Sequence, residues 1–315
     1  MPSAPIVKMP VSQTTLVSPD FTRDTDLTVA ELRHLLELAR EMKRNPKRFS
    51  TSLAGQYLAL LFEKPSLRTR LTFELAIKQL GGDCVVSSGV IGEREPIKDI
   101  ARNLDRWVQG IVARVFSYRT VTELATWSSV PVVNALCDRF HPCQALADAM
   151  TMGEHFGDLS GLTLTFIGDG NNVAHSLLHT VVRLGMNYRI ACPPGYEPDP
   201  ELVAEARLLA PQAEIVVTED PWAAVAGAHV IYTDVWASMG QEAQALERRA
   251  IFHPYQVNTE LMKVAASDSI FLHCLPAKRN QETTDEVMES AQSLVFQQAE
   301  NRLHTQKALL LMLLS

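Results

Sequence analysis

The sequence predicts an α/β protein with two doubly wound parallel-sheet domains. Three observations lead there. Apolar runs of strand length alternate with helical stretches along the whole chain, as expected when helices cover both faces of parallel sheets. Ten such runs in 315 residues fit two sheets better than one. A composition of 46% hydrophobic and 21% charged residues is that of an ordinary globular protein, and the length suffices for two cores.

Taken in order, strands are expected over 57–62, 84–87, 111–116, 131–135, 162–167, 188–192, 214–217, 229–233, 269–272 and 294–297. Helices are expected over 28–43, 69–80, 97–108, 143–156, 172–184, 200–209, 257–265 and 299–314. Tyr57 to Phe62 is continuously apolar and is stopped by Pro65. Helical spacing resumes at Thr69, with Leu71, Phe73, Leu75 and Leu80 on one side. Cys143 to Phe156 reads as a helix ending near Gly157 and is expected to bridge the two domains. In sheets of this kind, ligands sit where loops converge at the carboxyl ends of the strands.

Composition removes several function classes. A net charge of −7 argues against general nucleic-acid binding. No run reaches the roughly 20 apolar residues that a bilayer span needs, so no membrane partner is expected. The first 20 residues hold one lysine, no arginine and no apolar core, unlike a secretory or mitochondrial leader. Cys84, Cys137, Cys143, Cys192 and Cys274 show no CxxC spacing, which indicates reduced thiols, a cytoplasmic location and no structural zinc.

Five clusters carry the chemistry. Phe62-Glu63-Lys64-Pro65-Ser66-Leu67-Arg68-Thr69-Arg70 runs from a strand into a helix start, where free backbone N–H groups, hydroxyls and guanidiniums favour an anion such as phosphate. Read alone, it is equally a capped surface helix with basic residues. The glycine-rich phosphate loop is absent, so nucleotide hydrolysis is not indicated. His141-Pro142-Cys143-Gln144 puts an imidazole and an amide at another helix start, suited to a carbonyl or phosphate oxygen and an NH2 group; a packed histidine is the plainer reading. In Gly168-Asp169-Gly170-Asn171-Asn172, Val173 occupies the third glycine position of a dinucleotide loop, which disfavours a nicotinamide oxidoreductase. Amides there suit a carboxylate or an amino acid, or simply cap the helix. Asp234, directly after a strand, can meet an ammonium, and the Ser238-Met239-Gly240 loop behind it could act as a lid or be ordinary surface. His273-Cys274-Leu275-Pro276 offers a thiol beside a candidate cis proline, although a free cysteine is commonly just a small buried group.

In this order, the five clusters resemble the aspartate/ornithine transcarbamylase family, from about residue 17 to the chain's end. The resemblance implies a cleft between the two domains, with a C-terminal helix crossing back to the N-terminal one. Residues 1–142 plus 291–315 would bind carbamoyl phosphate, and 143–290 would bind ornithine. It implies that Ser66, Leu67, Arg68 and Thr69 cradle the phosphate, and that Arg114 and Arg302 reach the same substrate. His141 would hold the carbamoyl oxygen and Gln144 the carbamoyl nitrogen. Asn172, Asp234, Ser238 and Met239 would bind ornithine. Asp234 and Cys274 would face the attacking amine, with the Leu275 carbonyl helping to hold the reacting groups. Cys274, Asp234, Arg114 and His141 would be catalytic. The implied reaction is carbamoyl transfer to the side-chain amine of L-ornithine, giving L-citrulline; N-acetylornithine or putrescine is the alternative acceptor. Neither metal nor organic cofactor is expected, because carbamoyl phosphate is already activated. A homotrimer is implied. Leu67 departs from the family's usual threonine, and Val90 stands where a glutamine usually reaches the substrate. Arg279, in a stretch like that of relatives using N-acylated ornithine, is left without a role.

Overall fold

A computed structural model describes residues 16–237 and 244–315. Nine strands form two all-parallel sheets among the described residues. The first sheet has the order β2-β1-β3-β4, from β1 (Tyr57–Phe62), β2 (Asp83–Ser88), β3 (Gly110–Arg114) and β4 (Val132–Leu136). The second has the order β7-β6-β5-β8-β9, from β5 (Thr163–Ile167), β6 (Asn187–Ala191), β7 (Ile215–Thr218), β8 (Val230–Thr233) and β9 (Ile270–His273). Central strands β3 and β5 are buried at every residue, as expected for parallel strands covered on both faces; the buried Thr165 hydroxyl on β5 donates to the Ala224 carbonyl at 2.8 Å.

The helices are α1 (Val29–Arg44), α2 (Leu67–Gln79), α3 (Ile97–Leu104), α4 (Tyr118–Trp127), α5 (Pro142–Phe156), α6 (Asn172–Arg183), α7 (Pro200–Leu209), α8 (Pro221–Val225), α9 (Ala245–Phe252), α10 (Thr259–Met262), α11 (Asp285–Met288) and α12 (Val295–Leu314). One core unites the α1, α2 and α12 side of the first sheet with the α5 and α6 side of the second. Separate clusters around Ile111 and Val121, and around Ile231 and Phe271, cover the opposite faces. Both sheets are therefore wound on two faces, as expected.

Two expectations need correction. Residues 294–297 are not a tenth strand: Leu294 caps α12 and the rest form its first turn. Val295 is buried while Phe296 is 65% exposed, and so short an apolar run has no periodicity to separate strand from helix. The helix expected over 257–265 contracts to the single turn α10, opened by Asn258, whose Oδ1 accepts from the Leu261 N–H at 3.0 Å.

The last helix crosses between the sheets. The Leu294 N–H bonds to the Phe271 carbonyl on β9 at 3.0 Å, and Leu309 and Leu310, farther along α12, lie in the first-sheet core. The loops after β1, β3, β4, β5, β8 and β9 open toward one cleft. They include the β1/β3 and β5/β8 positions, where the winding direction of each sheet reverses.

Candidate active site

The first wall of the cleft is an array of guanidiniums. Ser66 is the N-cap of α2, its side chain makes no capping bond, and the first-turn N–H groups face the cleft end of β1. Leu67 is 70% exposed, so at this position the backbone is what the helix start offers. Thr69 is buried, and its Oγ1 accepts from Arg302 Nη2 at 2.7 Å and Arg114 Nη1 at 3.1 Å. Both lone pairs are thereby used, which leaves the Thr69 proton available for another oxygen. Arg114 ends β3, and Arg302 arrives on α12, 233 residues after Thr69. Burial and then the neighbouring Arg302 charge push Arg114 down to about 10. Burial also lowers Arg302 and half-buried Arg68, and the Arg68 charge adds to the lowering of Arg114 and Arg302. Three cations pressed together at such cost are stabilised by an anion of more than one charge.

A buried histidine and a buried glutamine stand beside this array. His141 is the N-cap of α5; burial, then the charges of Arg302 and Arg114, hold its ring well below the usual histidine range. A neutral imidazole therefore faces the arginines. Gln144 Nε2 donates to Asp148 Oδ1 at 2.8 Å, which fixes the amide orientation. His141 Nδ1, Gln144 Oε1, Arg114 Nε and Arg302 Nε are buried with no partner among the described residues. Orphaned buried polar atoms concentrated in one cleft mark a ligand site.

The second wall carries the acidic pair. Cys274 Sγ donates to Asp234 Oδ1 at 3.0 Å, while Asn171 Nδ2 donates to Asp234 Oδ2 at 3.0 Å. Burial first, then the Asp234 charge, raises the Cys274 thiol well above the usual range, so it is a proton donor and not a thiolate nucleophile. The Leu275-Pro276 bond is cis. Asn171 caps α6, accepting from the Val173 and Ala174 N–H groups, and Asn172 Nδ2 donates to the Cys137 carbonyl at 2.6 Å. Ser238 and Met239 lie outside the described residues. Arg279 is paired with Asp285 and with Glu289, at 2.6 Å for the latter, on the surface.

Sequence reading missed the supports behind these groups. Gln298 on α12 accepts from the His273 N–H at 3.0 Å and donates to Asp148 at 2.6 Å and Tyr232 Oη at 3.1 Å, joining both walls. Asp169 is ion-paired with Arg248, whose guanidinium lies over Tyr196 with its carbon 4.7 Å from the ring centroid. Glu282 is fully buried and accepts from His273 Nε2 at 3.2 Å. Asp234, His273 and Cys274 bring three ligand-type atoms within 4.8 Å, yet they do not suit a metal. His273 Nδ1 accepts from the Leu275 N–H at 2.9 Å, so both ring nitrogens are spent.

Comparison with known proteins supplies a family. A model described as aspartate/ornithine carbamoyltransferase, carbamoyl-P binding domain, matches residues 19–154, and one described as its Asp/Orn binding domain matches 160–313. The chain belongs to the aspartate/ornithine carbamoyltransferase family. Within this carbamoyltransferase family, it is 53% identical to the ornithine carbamoyltransferase of Thermus thermophilus over 90% of this chain and 93% of that one. The ornithine carbamoyltransferase structure from Pyrococcus furiosus superposes with a TM-score of 0.92 at 45% identity, covering 96% and 98% of the two chains. A more distant family member, an acetylornithine transcarbamylase complexed with acetylcitrulline, gives 0.85 at 33% identity over 94% and 99%.

Proposed function

We propose that this chain transfers the carbamoyl group of carbamoyl phosphate to the side-chain amine of L-ornithine, giving L-citrulline and phosphate, within arginine metabolism. The observation that carries the reading is the meeting of Arg114 and Arg302 on Thr69, with Arg68 beside them, across a cleft from the Asp234–Cys274 pair. A multiply charged anion fits the first wall and an amine the second.

In this reading Ser66, the Leu67 backbone, Arg68 and Thr69 hold the phosphate, together with Arg114 and Arg302. His141 and the free Thr69 proton meet the carbamoyl oxygen. Gln144 Oε1 accepts from the carbamoyl NH2. Asn172 and Asp234 orient ornithine, with Ser238 and Met239 assigned to the same task. A free alkyl ammonium has a pKa of roughly 10, so presenting the neutral amine at pH 7 costs about 4 kcal/mol at 1.36 kcal/mol per unit. Asp234 and Cys274 bind and orient the amine there, and the Leu275 carbonyl helps hold the reacting groups. Attack forms the C–N bond and places negative charge on the carbamoyl oxygen, where Arg114, His141 and Thr69 stabilise it. The C–O bond to phosphate then breaks, and the proton shed by nitrogen leaves with phosphate. Holding both substrates across one cleft adds the benefit of proximity.

We assign 1–142 plus 291–315 to the carbamoyl phosphate domain and 143–290 to the ornithine domain, in the cytoplasm. The exposed stripe Leu67, Leu71 and Leu75 on α2 supports self-association as a trimer, to be read by light scattering. Ornithine is favoured over N-acetylornithine by the 53% and 45% identity to enzymes named for ornithine, against 33% to the acetylornithine transcarbamylase. Product formation from carbamoyl phosphate with ornithine, N-acetylornithine and putrescine tests the reading; no citrulline from ornithine overturns it.

A further inference from the structure

The segment ahead of α1 reaches across to the second sheet's helix layer. Phe21 extends the first sheet beyond β4, its N–H bonding to the Val132 carbonyl at 2.9 Å and its carbonyl accepting from the Asn134 N–H at 2.8 Å. The chain then turns at Asp24–Asp26 and drives Asp24 against α6. There Asp24 Oδ2 accepts from Ser176 Oγ at 2.6 Å and Oδ1 from Thr180 Oγ1 at 3.0 Å, while Arg183 Nη1 donates to the Asp24 carbonyl at 2.9 Å. Asp24, Ser176 and Thr180 are all at most 5% exposed.

Ser176 has a second contact. Its Oγ accepts from the His141 backbone N–H at 2.9 Å. A serine hydroxyl has one proton, and the His141 N–H can only donate, so the direction is forced: His141 N–H to Ser176, Ser176 O–H to Asp24. The same face of α6 grips the preceding loop twice more. Asn172 Nδ2 donates to the Cys137 carbonyl at 2.6 Å, and His175 Nδ1 meets the Arg139 carbonyl at 3.0 Å.

We propose that Asp24 and Ser176 are positioning residues for His141: Asp24 fixes the rotamer of Ser176, and Ser176 fixes the backbone from which the imidazole enters the cleft. This rests on the carbamoyl-transfer reading, in which His141 meets the carbamoyl oxygen. Burial lifts Asp24 to about 6, while the Ser176 and Thr180 hydroxyls and the Arg183 charge favour its ionised form, the state in which it accepts from Ser176. His141 is the N-cap of α5 with φ −132°, outside the helix, and its N–H has no intrahelical partner to replace Ser176.

The test is steady-state citrulline formation at 25 °C with Ser176→Ala, Ser176→Cys, Asp24→Ala, Asp24→Asn and the double variant Ser176→Ala/Asp24→Ala. Ser176→Ala and Asp24→Ala are each expected to lower kcat about tenfold, the effect of one hydrogen bond, while the ornithine KM stays within about twofold. Ser176→Cys, a weak donor and acceptor of similar size, is expected to fall between Ser176→Ala and the unaltered enzyme. Asp24→Asn keeps an acceptor for Ser176 and is expected to retain most of kcat. The double variant is expected to match the single ones, because both act through His141, and not to multiply to a hundredfold loss. Lowered thermal stability with unchanged kcat in the folded variants would overturn the proposal, as would a multiplicative double variant. His141→Ala is measured alongside. If it retains full kcat, the role assigned to His141 fails; if it loses kcat while Ser176→Ala does not, only the positioning inference fails.

Discussion

Cys274→Ala separates the two walls of the cleft. The substitution removes the donor that meets Asp234 Oδ1 at 3.0 Å. A hydrogen bond to a charged group contributes roughly 1.5–3 kcal/mol. The lower half of that range applies, because Asp234 keeps the Val235 N–H at 2.7 Å and the Asn171 amide at 3.0 Å. A loss of about 1.5–2 kcal/mol corresponds to a roughly 10- to 30-fold fall in kcat/KM for ornithine. The array of Arg68, Arg114 and Arg302, to which we assign carbamoyl phosphate, keeps Thr69 and its helix start, so carbamoyl phosphate affinity is expected to stay within about twofold. Cys274→Ser retains a donor and is expected to lose less than about threefold. The assay is citrulline release with each substrate varied at saturating concentrations of the other. Equal losses for both substrates would refute the division of labour, and a serine variant as impaired as the alanine variant would refute the hydrogen bond as its cause.

Four further outcomes follow from the geometry. Arg68→Ala removes one of three cations and is expected to weaken carbamoyl phosphate binding by about 2–3 kcal/mol, read by titration, with the ornithine KM little changed. Asp148 is pushed up to about 7 from the ordinary 3.8, chiefly by burial, so the folded state binds its proton more tightly than the unfolded one and stability falls as pH rises from 3.8 through about 7. At 1.36 kcal/mol per unit the ionised form costs about 4 kcal/mol, so Asp148→Asn is expected to flatten that decline and unfold in more urea at pH 8, but not at pH 4. A Cβ on Gly170 would stand 2.2 Å from Pro198 N and 2.4 Å from the Glu197 carbonyl carbon, both backbone atoms; Gly170→Ala is therefore expected to lose about 1–3 kcal/mol in a urea titration. Glu282→Ala leaves the buried His273 Nε2–H without an acceptor, at about 1–3 kcal/mol of stability by the same measurement.

The parts of the site legible in the sequence were those written in consecutive residues after a strand. Ser66 to Thr69 and His141 to Gln144 each follow a strand and open a helix, His273 to Pro276 leaves the end of a strand, and all three combine chemically distinctive side chains facing the cleft. Arg114 and Arg302 were legible only through the family resemblance, because an arginine ending a strand or sitting within a helix has no local mark. The supports were not legible at all. Gln298 reaches Asp148 across 150 residues and Arg248 reaches Asp169 across 79, and nothing periodic links such positions. Asp24 reads locally as one more acidic residue ahead of a helix; only the crossing of its segment onto α6 gives it Ser176 and Thr180 as donors. The 294–297 run failed as a strand for a different reason: α12 begins at the edge of β9, where apolar side chains are wanted by either conformation.

The route of α12 has a consequence for any severed half of the molecule. A fragment cut at residue 154, where the carbamoyl-P domain match ends, contains the α2 turn, Arg114 and His141, yet it lacks Arg302 and Gln298. Such a piece would hold two of the three guanidiniums, a Thr69 hydroxyl with one donor gone, and an Asp148 without its partner from the far end. The guanidinium array thus draws on both ends of the chain, and it comes into being only when the tail of the polypeptide has docked on its beginning.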